Sequence, residues 1–226
     1  MMWIAPLKEF YKLPGERIIE PFAGHIPIYD VIPDQQDLVV DKNWMFFTNN
    51  GQLFAQFLLR PFIVAKVVRN DESNLFQVEE YYRNHYDCFD LIPESQHVHH
   101  GTNLVRVAYS PKLAEYNFTR DIYINIVHTK LYTTPPTYED FFVVYDTESP
   151  FAPIRMTEKY KFDLSPFNVH PGSFIYTNSM NTDKKIVQVN EFVDIGCGVD
   201  DNSFAFFGMM PSEMLALPYT TCNIKK

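Results

Sequence analysis

Four histidines and one cysteine lie close together between residues 85 and 100, in a stretch that also holds three carboxylates. Imidazole, thiolate and carboxylate groups are common ligands of zinc and iron in proteins. On a strand, His97 and His99 would point to the same side, which suits chelation of one ion. One hypothesis is therefore a metal site at His97 and His99 that binds zinc, iron or manganese. The simpler prediction is a polar loop with solvated histidines and no cofactor. The residues of the cluster are His85, Cys88, His97, His99 and His100, with Asp87, Asp90 and Glu94 between them.

The pair His97 and His99 resembles the HxH pair of the cupin barrels. In that family two histidines and a carboxylate bind a metal, with a third histidine on a distant strand. The resemblance implies a metal-dependent enzyme in which His128 or His170 supplies the third imidazole. The chain departs from the cupin pattern because no glutamate follows the pair at the family's spacing, where residues 101–105 read Gly-Thr-Asn-Leu-Val.

A second pattern, FVDIGCG at residues 192–198, resembles motif I of the class I S-adenosylmethionine methyltransferases. In that family a strand leads into a Gly-rich loop beside the cofactor, and a long helix follows. Here Asp200 stands where another small residue is expected, and residues 201–204 lead to a further strand. A Gly-rich match needs strand, loop and helix together. We therefore expect a strand that ends in a Gly-Cys-Gly turn, without a cofactor.

The composition indicates what kind of fold positions these residues. Aromatic residues make up 16% of the 226 residues, with 20 Phe and 14 Tyr, and such side chains favour strands. Turn signals separate about ten apolar or alternating segments, and no long helical pattern alternates with them. The sequence therefore predicts an all-β fold, an antiparallel β-sandwich or jelly roll with long loops.

The most apolar stretch runs from residue 44 to 69, and the rest of the fold is expected to pack on it. Asn49-Asn50-Gly51 predicts a tight hairpin. Residues 52–60 fit both helical spacing and alternation, and we favour a strand. Residues 62–68 and 140–145 are apolar on both faces, which predicts doubly covered strands. The other predicted strands are 38–40, 44–47, 75–82, 104–109, 121–132, 157–162, 174–177, 185–195 and 203–209, and helical turns are predicted at 112–116 and at 211–217, with Ser212 as the cap.

Proline spacing predicts the organisation of the N-terminal region. Residues 1–35 contain five prolines, six to eight residues apart, which leave no room for an ordinary helix. We predict a single β domain, with an extended arm at 1–35 and a β-sandwich core at 36–226. The aromatic side chains expected to anchor the arm are Trp3, Phe10, Tyr11 and Phe22.

Charge limits the range of partners. The net charge is −9 and the basic residues are scattered, whereas nucleic-acid binding begins with neutralisation of phosphates. We therefore predict no nucleic-acid partner and weak attraction to anionic membranes. No segment approaches 18 consecutive apolar residues, so membrane insertion is not expected. The first residues lack the pattern of a signal peptide, so secretion by that route is not expected either.

The cysteines give a further expectation. Cys88, Cys197 and Cys222 are odd in number and show no repeated spacing, so we do not expect a disulfide framework. A reducing compartment is the simpler interpretation. The expected location is the cytoplasm or a larger particle.

No intact catalytic motif is visible, and this directs the functional prediction. We predict a structural, non-catalytic subunit that assembles with copies of itself, as a homo-oligomer, or with other proteins. The interface would use the arm and the loop aromatics Tyr138 and Phe151. Virion and capsid proteins often combine jelly rolls with arms, which is an analogy of fold alone. The alternatives are a carbohydrate- or ligand-binding module that uses loop aromatics, and the cupin-like metal-dependent enzyme.

Overall fold

A computed structural model describes residues 44–70, 75–131, 133, 137–163, 173–200 and 203–225. The predicted arm with Trp3, Phe10, Tyr11 and Phe22, and the predicted strand at 38–40, lie outside these ranges. The division into an arm and a core therefore stays a prediction. The described strands are β1 Met45–Asn49, β2 Gln52–Leu59, β3 Phe62–Asn70, β4 Leu75–Asn84, β5 Val98–His100, β6 Val105–Val107, β7 Ile122–Leu131, β8 Thr137–Asp146, β9 Pro153–Thr157, β10 Ile175–Asn181, β11 Val193–Val199, β12 Ser203–Met209 and β13 Tyr219–Thr221. The helices are a 3-10 helix at Asp87–Leu91, α1 at Pro111–Ala114 and α2 at Pro211–Leu215.

The described strands form three antiparallel sheets. One sheet has the order β1-β2-β3-β4, and another has the order β10-β11-β12. The largest sheet has the order β13-β9-β8-β7-β5, and β6 also pairs with β7. The antiparallel, all-β prediction is confirmed, while the jelly-roll arrangement stays a prediction.

The largest sheet lies between the other two, so that both of its faces are buried. Even-numbered side chains such as Ile124 and Phe142 pack against the three-stranded sheet. Odd-numbered side chains such as Val127 and Phe141 pack against the four-stranded sheet. Every residue from 122 to 129 is consequently buried. The molecule is a β-sandwich of three layers, with β7 and β8 at its centre.

The hairpin and the strands predicted within 44–69 are confirmed. The expectation that the rest of the fold packs on this stretch is wrong, because β7 and β8 are central and the three-stranded sheet packs on their other face. Asn50 and Gly51 form the turn of the β1–β2 hairpin, with φ angles of 48° and 79°, and Asn49 pairs with Gln52 at its base. Both turn residues are therefore left-handed, which Asn and Gly tolerate best. Residues 52–59 form a strand, and β3 is buried on both faces, with Ile63 and Val64 fully inaccessible.

Two predicted strands lie elsewhere. The strand expected at 157–162 is found at Pro153–Thr157. The alternating aromatic residues Tyr160 and Phe162 are not in this strand, and their rings pack against Phe142. The strand expected at 185–195 begins only at Val193 and runs to Val199. The Gly-Cys-Gly sequence is therefore inside a strand, and the expected turn there is wrong.

The C-terminal helical turn is found, but its predicted cap is not. Helix α2 begins after Met210, whose backbone N–H donates to the Glu213 carboxylate at 2.7 Å. Ser212 lies inside the helix instead of capping it. Pro211 is the first residue of the helix. Its missing backbone N–H costs nothing there, because N–H groups in the first turn have no partner within the helix.

The expectation of no disulfide is wrong for two of the three cysteines. Cys88 and Cys222 are joined across 134 residues, and only Cys197 is free. The spacing of the cysteines in the sequence does not indicate this pair. Cys222 is brought near Cys88 because the C-terminal segment forms β13, which pairs with β9. Beyond it, the backbone N–H of Lys225 donates to the His85 carbonyl at 2.9 Å. The compartment stays a prediction.

Candidate functional site

The outer surface of the three-stranded sheet carries large exposed apolar side chains. Phe192, Phe204 and Phe206 are 66%, 74% and 64% exposed. Phe204 and Phe206 lie on β12, where they alternate with Ala205 and Met209, which are buried. Apolar side chains grouped in this way on a surface are typical of a contact site. We call Phe192, Phe204 and Phe206 the phenylalanine face.

Two glycines of β11 allow close contacts within the same sheet. Phe204 is the register partner of Gly198, and Phe206 is the register partner of Gly196. A side chain at Gly196 would collide with the Ser179 hydroxyl, and one at Gly198 would collide with the Tyr176 ring. The glycines of the Gly-Cys-Gly sequence are therefore explained by close contacts with β10, and no cofactor loop is needed to explain them.

A cluster of rings lies beside this sheet and joins four of the residues selected from the sequence. The ring centroids of His97 and His99 are 6.1 Å apart, and those of His99 and His128 are 6.2 Å apart. Tyr138 lies 5.3 Å from His128 and 5.8 Å from Tyr176. Tyr176 in turn packs against Gly198, so the ring cluster and the phenylalanine face are neighbours.

Behind the rings, a row of titratable side chains crosses the central sheet. His99 pairs with His128 between β5 and β7, and His128 pairs with Asp140 between β7 and β8. Asp140 is only 3% exposed and accepts a hydrogen bond of 2.8 Å from the Thr177 hydroxyl of β10. This contact connects the central sheet to the three-stranded sheet.

Burial changes the protonation of this row. Burial raises the pKa of Asp140 to about 7, although the Thr177 hydrogen bond opposes the shift. Burial, helped by the nearby His99, lowers the pKa of His128 to about 4. Near neutral pH, His128 is therefore an uncharged imidazole, and Asp140 is divided between its neutral and charged forms.

The free cysteine is not arranged as a nucleophile. Cys197 is fully buried, and burial together with the charge of Asp140 raises the pKa of its thiol to about 12. A nucleophilic cysteine needs an accessible thiolate. Cys197 instead packs as a small apolar side chain in the core between the two sheets.

The metal hypothesis stays a prediction, because His170 lies outside the described residues. Within the described residues, no group of three His, Cys, Asp or Glu side chains is arranged to hold a metal ion. Cys88 is in the disulfide, and His100 faces Asn125 in the interior, with its Nδ1 3.0 Å from the amide nitrogen. The rings of His97 and His99 stack at an interplanar angle of 27°.

His97 and His99 also line an open cleft of about 380 Å³, with His85 and Lys225 on its rim. Arg60 fixes one wall, since its guanidinium donates to the carbonyl oxygens of Ile92 at 2.7 Å and of Pro93 at 3.2 Å. This volume is in the range of small-ligand pockets. The cleft can accept a small polar molecule.

The two predicted loop aromatics have different positions. Tyr138 is half-buried in the ring cluster. Phe151 is 3% exposed and packs 4.9 Å from Phe54 in the core, so its ring is not at the surface. The exposed residues Phe204 and Phe206 were not selected from the sequence. Alternation in SFAFFGM shows two faces but does not show which face a second sheet covers.

Gly101 provides a test of how tightly the polar row, which consists of His99, His128 and Asp140, is packed. A Cβ at this position would lie 2.8 Å from Thr177 Oγ1, 2.9 Å from His128 Nδ1 and 3.1 Å from the Ile126 carbonyl oxygen. We expect Gly101→Ala to lower the free energy of unfolding by about 1–3 kcal/mol, because the buried neighbours must shift. Denaturant unfolding would measure this. Gly51→Ala is the contrasting variant, because its Cβ meets nothing within 4 Å and its cost arises from positive φ alone. A Gly101→Ala protein as stable as the original chain would contradict the packing argument.

Comparison with known proteins finds no match among family models, curated proteins or solved structures. In the described part of the chain, no helix is long and apolar enough to cross a membrane.

Proposed function

We propose that this protein is a structural, non-catalytic subunit that contacts another protein chain through its phenylalanine face. The observation that supports this proposal is the exposure of Phe192, Phe204 and Phe206 on one sheet surface, each by about two-thirds or more. These three side chains expose apolar area to water on one surface, and association with another chain would bury that area.

Burial of these rings would favour association. Full burial of one Phe side chain is worth about 1.5–3 kcal/mol. Phe204 and Phe206 together therefore offer several kcal/mol, and each 1.4 kcal/mol changes a dissociation constant about tenfold. Aromatic side chains of this kind commonly dominate the energy of protein interfaces.

The rest of the site supports binding more than catalysis. The cleft beside His97 lacks an assembled nucleophile or metal centre within the described residues. The carbohydrate alternative depended on loop aromatics, of which Phe151 is in the core and Tyr138 is packed among other rings. Phe192, Phe204 and Phe206 are instead largely exposed in the described part of the chain.

The test uses a double variant, Phe204→Ser with Phe206→Ser. Both side chains are largely exposed, so the fold should tolerate the change. We expect the variant to associate at least about a hundredfold more weakly than the original chain, because two apolar anchors are lost. Light scattering coupled to size exclusion measures the change.

Tyr109→Ser is the matched control, since Tyr109 is 49% exposed and belongs to none of the strands of the three-stranded sheet. It should leave association unchanged. Equal association of the double variant, the control and the original chain would rule out the phenylalanine face as the interface.

A further inference from the structure

We infer that strand β12 pairs with β12 of a second copy of this chain, in antiparallel orientation about a two-fold axis. The pairing would join two three-stranded sheets into one continuous sheet of six strands. This inference rests on the proposed function and names the partner as an identical chain. It is based on the edges of the described sheets, on the pairing pattern of β12 and on its charge.

The edges of the described sheets differ in how they are protected from pairing. Strands β5, β6 and β13 have only three residues each, and β1 has five. Strand β4 carries Glu79, Glu80 and Arg83, and β10 has a register shift between Thr177 and Ser179. Short length, charge and irregularity are the usual devices that prevent edge pairing.

Strand β12 has none of these devices. It contains seven residues, SFAFFGM, without a charge or a proline. It pairs with β11 from Ser203 to Met209 with no register shift, and no described strand lies on its other side. A long, regular, apolar edge of this kind is a template for one more strand.

The order of large and small residues makes β12 complementary to itself. A two-fold axis at Phe206, the middle residue, would place Phe204 opposite Gly208 of the second copy and Phe206 opposite Phe206. Within the chain, Phe204 already pairs with Gly198 and Phe206 with Gly196. The dimer would therefore repeat, at Phe204 and Gly208, the Phe-to-Gly register pairing that is present within the sheet. Aromatic residues directly opposite each other also stabilise antiparallel pairs.

Charge does not oppose this contact, although the chain carries a net charge of −9. The strand itself is neutral, and the one carboxylate on the described strands of this sheet is Asp194 of β11, which pairs with Gly208 of β12. In the dimer the two β11 strands, each of which carries Asp194, would lie three strand spacings apart, about 14 Å. That separation exceeds the Debye length of about 8 Å at physiological salt, so their repulsion is screened.

The first test is a cross-link at the two-fold axis. In Phe206→Cys, the two introduced thiols would face each other at the Cβ separation of directly opposed residues, about 4.5–5.5 Å, which is close to disulfide geometry. Mild oxidation should give a covalent dimer on a non-reducing gel. Tyr109→Cys is the matched control and should remain monomeric on the gel. Equal cross-linking of both variants, or none in Phe206→Cys, would overturn the inference.

The second test reverses charge at the same position. Phe206→Lys and Phe206→Glu should each be monomeric, because two like charges would meet at the axis. An equimolar mixture of the two should recover dimers, because Lys then faces Glu across the axis. Light scattering on the separate and mixed samples measures this. If the mixture stays monomeric, the register centred on Phe206 is wrong.

The outcomes separate this inference from the proposed function. An oligomer that depends on Phe204 and Phe206 but does not cross-link at position 206 would retain the interface and overturn the strand pairing. A chain that is monomeric at every concentration would overturn the strand pairing and remove the support for self-assembly as well.

Discussion

Replacing both disulfide cysteines, Cys88→Ala with Cys222→Ala, is expected to lower the free energy of unfolding by about 2–5 kcal/mol. The bond connects positions 134 residues apart, and a cross-link over a long loop restricts the unfolded chain strongly. It also secures the C-terminal segment, where the backbone N–H and the side-chain amide of Asn223 donate to the Asp87 carboxylate at 2.7 and 3.1 Å. Denaturant unfolding of the oxidised protein and the variant measures the difference.

Reductant provides the control for this prediction. It should destabilise the original chain by a similar amount and leave the double variant unaffected. Thiol counting in denaturant should give one free cysteine before reduction, Cys197, and three afterwards. Three reactive thiols in the protein as purified without reductant would show that the bond is absent.

Single substitutions in the buried polar row are expected to reveal opposite pH dependences that cancel in the original chain. The pKa of Asp140 is raised from 3.8 to about 7, so the folded state holds its proton more tightly than the unfolded state does. Its contribution to stability is complete below pH 4 and is lost as the pH rises through 7, by about 4 kcal/mol in total.

His128 acts in the other direction. Its pKa is lowered from 6.5 to about 4, so the unfolded chain takes up a proton before the folded one does. Its contribution is complete above pH 6.5 and is lost as the pH falls through 4, by about 3 kcal/mol. Between pH 4 and 6.5 the two slopes oppose each other.

Two variants separate these contributions. Relative to the original chain, Asp140→Asn should become more stable as the pH rises from 4 to 6.5, because the slope of His128 is then unopposed. His128→Asn should become less stable as the pH rises from 4 to 7. The Asn at 140 can still accept the Thr177 hydrogen bond, which limits other effects. Urea unfolding at several pH values measures both slopes. Profiles parallel to that of the original chain would contradict the assigned protonation states.

The sequence is sufficient to predict the elements whose signals are local. The β1–β2 turn follows from Asn50 and Gly51, because their φ preferences act within a few residues. Strand β8 follows from a run that is apolar on both faces. Strand β7 follows from alternation, which does not show that its polar face is buried as well. The three-layer arrangement is not visible in this way, because alternation marks a buried face without identifying the sheet that covers it.

The ring cluster and the disulfide depend on contacts between distant residues. His99, His128 and Asp140 become neighbours only through the registers of β5, β7 and β8. Cys88 meets Cys222 only because the C-terminal segment returns along β9. The glycines at 196 and 198 resembled a cofactor loop because their role, close contact with β10, depends on which residues lie across the strand.

The native mass of the purified chain tests the central claim most directly. Light scattering coupled to size exclusion, at concentrations a hundredfold apart, should show a shift toward 53 kDa or a larger multiple of the 26.5 kDa chain as concentration rises. The Phe204→Ser/Phe206→Ser variant should remain near 26.5 kDa under the same conditions. A mass of one chain for both proteins at every concentration would contradict assembly through the phenylalanine face.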